Sequence, residues 1–163
     1  MRDNALPSYI QEYYGDSVAG AKSEEDSCPA FTFLRGLDAR ALAVEFRWLS
    51  GNSVWFSYSH LVSWHYNRSV GLLLKFTSDV TSLLLIHGSN LDVPMGDAQV
   101  NLTDRGLQRH RIILIREMSD TDLKKARKGE PTIDRIELGE FESVEEQRKW
   151  LKERAPAFVG EPR

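Results

Sequence analysis

Apolar and polar positions alternate most clearly between residues 42 and 87. Val44, Phe46 and Trp48 interleave with Glu45, Arg47 and Leu49, the period-two pattern of a half-buried strand. Ser50-Gly51-Asn52 then reads as a turn, because glycine and asparagine accept positive φ at little cost. Val54, Phe56 and Tyr58 alternate with Ser53, Trp55 and Ser57, and Val62, Trp64 and Tyr66 with Leu61, Ser63 and His65. After a loop at Asn67-Arg68-Ser69, the pattern predicts a strand from Leu72 to Thr77. A hairpin turn at Ser78-Asp79 leads into another strand from Val80 to His87. This last pair is apolar on both faces (Leu72, Leu73, Leu74 and Phe76; Leu83, Leu84, Leu85 and Ile86), so each face needs a cover. Either the chain's own helices or another subunit supplies it.

Outside this block the signals are mainly helical. Ser8 can cap a short helix over residues 8–14, and the acidic stretch from Asp16 to Pro29 reads as a linker with almost nothing to bury. Residues 88–101 read as a loop. Thr103 is placed to cap a short helix through Arg109, and Ile112, Ile113, Leu114 and Ile115 predict a closing strand. Ser119 opens a helix that stops at Gly129, and Ile133, Ile136 and Leu138 follow as a short strand. Ser143-Val144-Glu145-Glu146 is a capping box for a final helix through about Arg154, whose apolar stripe is thin: Val144, Trp150 and Leu151. The fold class expected is α+β. A small antiparallel β-barrel or strongly bent sheet spans residues 31–117, after an N-terminal helical arm and acidic linker (1–30). A helix–strand–helix attachment (118–163) follows it.

A chain of 163 residues fits one domain. No apolar run approaches the roughly 20 residues that cross a bilayer, and the N-terminal MRDNALPSYI lacks the apolar segment of a signal peptide. Cys28 is the only cysteine, which suits a reducing compartment, so a cytoplasmic protein without membrane attachment is expected. Residues 1–30 carry a net charge of −4, residues 31–117 +2 and residues 118–163 −1. None has the basic excess of a dedicated nucleic-acid domain. The only basic stripe is Arg105, Arg109, Arg111 and Arg116, of which Arg109 and Arg111 are the candidate phosphate contacts.

Catalytic motifs are missing from the linear sequence. It holds no GxSxG elbow, no HExxH or paired-cysteine metal motif and no glycine-rich phosphate cradle. Neither an enzyme nor a cofactor is therefore expected. The four histidines, His60, His65, His87 and His110, offer a metal-enzyme reading only if they converge in space, and His60 and His65 sit at odd spacing on one strand. The aromatic set Trp48, Trp55, Phe56, Tyr58, Trp64 and Tyr66 suits a β core. Trp55, on the face shared with Ser53 and Ser57, becomes an interface anchor if that face stays open. The candidate ligand corner is His87-Gly88-Ser89-Asn90, which puts an imidazole, a hydroxyl and an amide near one strand end, with His60 joining them if the sheet closes.

Phe46-Arg47, Gly51, Tyr58-Ser59-His60-Leu61 and Gly88-Ser89-Asn90-Leu91, followed by an Arg-rich strand, resemble small bacterial β-rich proteins without a known activity. The likeness covers about residues 42–117 and implies a compact β domain. Leu49-Ser50-Gly51 and Ile86-His87-Gly88-Ser89-Asn90-Leu91 are similar to the two motifs of Sm-like barrels, which form rings and bind RNA. His87 stands where that family has arginine, and only Asn67 lies near its Asp-to-Asn loop. The expected function is a non-enzymatic binding or assembly module that forms a homo-oligomer through a sheet face or meets a protein partner. The alternatives are an Sm-like RNA-binding role and a histidine-based metal enzyme.

Overall fold

Each alternating segment of the sequence becomes a strand, and the turns between them fall at the small and polar residues. The computed structural model describes residues 24–160, so the helix expected at 8–14 lies outside them. Among the described residues the chain is α+β, with nine strands in two sheets and two α-helices. The first sheet has the order β1 (Glu25–Ser27), β2 (Phe31–Leu34), β8 (Ile112–Arg116), β3 (Ala43–Arg47) and β4 (Ser53–Ser57). The second runs β5 (Leu61–Asn67), β6 (Gly71–Thr77), β7 (Thr81–Ser89) and β9 (Thr132–Phe141). The two sheets remain separate, so the expected barrel does not close. Nor is the first sheet wholly antiparallel, since β3 and β8 pair in parallel with Phe46 opposite Ile115.

Between the sheets lies the main core. Phe31, Phe33, Val44 and Phe46 from the first sheet meet Leu72, Leu74, Phe76, Leu84 and Ile86 from the second. Phe76 stacks on Phe56 at 4.6 Å between ring centres and meets Phe46 edge-on at 6.0 Å. Polar groups add fixed ties. Trp48 Nε1 donates to the Ile136 carbonyl at 2.8 Å, and Glu117 accepts from the Leu49 and Ile136 amides, both at 2.9 Å.

Four expectations change at this level. Residues 25–27 of the acidic linker form β1, antiparallel to β2, and Cys28 is buried, where desolvation raises its thiol pKa. The helix expected after Thr103 is reduced to a single 3-10 turn, Leu107–Arg109, because Gly106 has non-helical backbone angles. The first C-terminal helix, α1 (Asp120–Lys125), keeps its Ser119 cap on the Asp122 amide at 3.1 Å but ends before Gly129. The expected short strand becomes the ten-residue β9, paired along the length of β7 with Ile133 and Ile136 buried. The C-terminal part is therefore integral to the second sheet rather than an attachment.

The second C-terminal helix, α2 (Val144–Arg154), answers the question of the doubly apolar strands. Its Ser143 cap holds the Glu146 amide at 3.2 Å. The helix lies on the outer face of the second sheet, where Leu151 and Ala155 form a second core with Leu73, Leu83 and Leu85. Alternate residues of β6 and β7 thus serve two cores, one between the sheets and one beneath α2. The cover on this face comes from the chain itself.

Candidate functional site

The residues singled out from the sequence do not gather in one place. His87 lies in β7 opposite Gly71 and Arg135. Its Nε2 is 2.9 Å from Glu137 Oε2 and 3.2 Å from Arg135 Nη2, and Arg154 from α2 approaches Glu137 at 3.6 Å. The imidazole is thus one member of a charged network that ties β7, β9 and α2 together. Gly88 sits at the register shift between β7 and β9, and a Cβ there would overlap the Thr132 carbonyl oxygen. The glycine is required by close backbone approach, not by a positive φ. The positive φ of 57° belongs to Asn90, whose amide donates to the Glu130 carbonyl at 3.2 Å. Ser89 ends β7, paired with Thr132 and exposed.

His60 does not join this corner. It closes the 3-10 turn Tyr58–His60 just before Leu61, which pairs with Phe76 near one end of β6, while His87 pairs with Gly71 at the other. His110 stacks on Tyr58 at 4.5 Å, and among the described residues no group of three His, Cys, Asp or Glu side chains is placed to hold a metal ion. Of the two candidate phosphate contacts, Arg109 is exposed whereas Arg111 is buried at 1% exposure. Arg111 Nε donates to the Leu34 carbonyl at 2.9 Å and Nη2 to that of Arg35 at 2.7 Å, so its guanidinium pins the end of β2. Burial, together with the charges of Arg109, Arg40 and Arg105, lowers its pKa. That location removes Arg111 from any phosphate-facing surface. Trp55 stands 62% exposed on β4, an edge strand of the first sheet.

A cleft that the linear pattern did not reveal adjoins the second core. Between the outer face of β5–β7 and α2 is a cavity of about 520 Å³, within the roughly 300–1,000 Å³ range of small-ligand sites. Leu73 and Leu83 from the sheet, Leu151 from α2, and Phe158 and Val159 from the turn after it provide apolar walls. Register explains who faces it: Lys75 is opposite Ser63 and Leu83, and Leu73 is opposite His65 and Leu85, all on the α2 side. Lys75, Arg148 and Lys152 are its charged lining, with no carboxylate among the lining residues.

Two of the polar groups in the cleft have no side-chain partner among the described residues. Lys75 is half-buried in the middle of β6 and has no ion pair among the described residues. Gln147 is 9% exposed, one turn before Leu151, and its side-chain amide makes no hydrogen bond among the described residues but keeps solvent access at the cleft. One signal for this site was present in the sequence: a lysine inside the run Leu72-Leu73-Leu74-Lys75-Phe76, which is otherwise apolar on both faces. Its convergence with Gln147, Arg148 and Lys152, some 72–77 positions further along, was not.

Comparison with protein-family models, curated proteins and solved structures finds no match to this chain. No helix among the described residues is long and apolar enough to cross a membrane.

Proposed function

We propose that the protein is a non-enzymatic binding module whose ligand site is the cleft beneath α2. The observation that carries this reading is the 520 Å³ cavity itself, with apolar walls and cationic and amide groups on the same lining. An apolar recess with a few convergent polar groups is the usual form of a small-ligand site. Titration of the full chain with an environment-sensitive apolar dye such as Nile red tests it. One saturable site is expected, and Val159→Trp, which fills the cleft from its rim, should abolish binding while leaving the circular dichroism and melting temperature unchanged. Dye binding that does not saturate, or that survives Val159→Trp, would overturn the reading.

A second reading, assembly with another copy of this chain, is favoured by Trp55. Its indole is exposed on β4, whose outer edge has no strand partner among the described residues. An open strand edge beside a large aromatic suits two-fold strand pairing. The doubly apolar strands no longer support assembly, because α2 covers them.

A further inference from the structure

The structure assigns the cleft beneath α2 to an amphipathic carboxylate, an apolar body carrying one negative charge. The inference rests on the cleft being a ligand site and adds the class of ligand. Three observations converge on it.

The first is charge. Each charged side chain lining the cleft is a cation, Lys75, Arg148 or Lys152, and none forms an ion pair among the described residues. Arg148 and Lys152 lie one turn apart on α2, whereas Lys75 rises from the sheet across from them. A lysine held in the middle of a sheet strand loses part of its hydration, and an incoming anion restores what water no longer supplies.

The second is the Gln147 amide, which lines the cleft, keeps solvent access there and makes no hydrogen bond among the described residues. An amide NH₂ can donate to a carboxylate oxygen while the lysine ammonium meets the other. An ammonium and an amide together match a singly charged head with two acceptor oxygens.

The third is the remainder of the lining. Leu73, Leu83, Leu151, Phe158 and Val159 present hydrocarbon, which neither an inorganic anion nor a sugar would cover. An apolar chain or ring against these residues is driven by the burial of its own surface.

Decanoate and decanol, which share the chain and differ in the head group, separate the class of ligand from the existence of the site. Isothermal titration of the full chain is expected to show decanoate binding at least about tenfold more tightly than decanol. Lys75→Met should bring decanoate to the affinity of decanol and leave decanol unchanged. Gln147→Leu, which replaces one good helix former by another, should weaken decanoate several-fold without weakening decanol. It supplies the reading if Lys75→Met fails to fold. Equal affinity for the two probes, a decanoate preference that survives Lys75→Met, or one that Gln147→Leu leaves undiminished, would overturn the carboxylate assignment while the cleft remained a ligand site. Binding of neither probe would overturn both.

Discussion

At the scale of single residues, burial redefines what several polar groups do. Arg111 looks in sequence like one more member of a basic stripe, yet its guanidinium is sealed inside and holds the Leu34 and Arg35 carbonyls. Cys28 looks like an exposed thiol in an acidic linker, yet it lies in the core beside Phe31. Tyr58 is the clearest case with a measurable consequence. It is 4% exposed and donates to the carbonyl of buried Ile112, and desolvation raises its pKa far above the ordinary value. As pH rises past about 10 the unfolded chain gives up this proton first. The folded state then binds more protons than the unfolded, so stability falls with rising pH. Tyr58→Phe is expected to cost about 1–3 kcal/mol at neutral pH through the carbonyl left without its donor. It should also make the loss between neutral and alkaline pH shallower than in the parent chain. Urea melts at pH 8 and near pH 11 measure both, and an unchanged alkaline slope would show that other groups set it.

At the scale of elements, α2 is the piece whose importance its own sequence understates. Its apolar stripe is thin, and Val144, part of that stripe, is 61% exposed. Leu151 and Ala155 nevertheless cap the outer halves of β6 and β7, which present Leu73, Leu83 and Leu85 to them. A chain ending at Glu142 would leave that apolar row in water on the face of a four-stranded sheet. Such a truncation is expected to aggregate or to lose its cooperative melt, the opposite of what a peripheral attachment would do. The graded form of the same test is Leu151→Ala. At 8% exposure it should cost about 2–4 kcal/mol. A melt unchanged within error would show that α2 only rests on the sheet.

At the scale of the whole molecule, the two sheets and α2 form three layers, and the outer face of the first sheet is where Trp55 stands exposed. If copies of the chain pair, the β4 edge with Trp55 is the expected contact. Light scattering of the parent chain should then give a dimer mass, and Trp55→Asp a monomer with an unaltered melt. A monomer at tens of micromolar in the parent chain would remove assembly from consideration and leave the cleft as the proposed interaction site.

Much of the architecture was legible in local pattern. The alternation at Val44 and Phe46, the Ser50-Gly51-Asn52 turn, the Ser78-Asp79 hairpin and the caps at Ser119 and Ser143 all stand where the sequence places them. Each depends on a strand's two-residue period or on one side chain reaching an amide three positions away, so neighbouring residues suffice to determine it. The separation into two sheets, the parallel pairing of β3 with β8 and the pairing of β9 with β7 join segments far apart in the chain. No local pattern encodes which distant strand will be the neighbour. The same limit governed the site. That Leu72 to Phe76 is apolar on both faces follows from sequence alone. That one face meets the first sheet, while the other places Lys75 in a cleft with Gln147, Arg148 and Lys152, was decided only when the tertiary fold laid α2 across it.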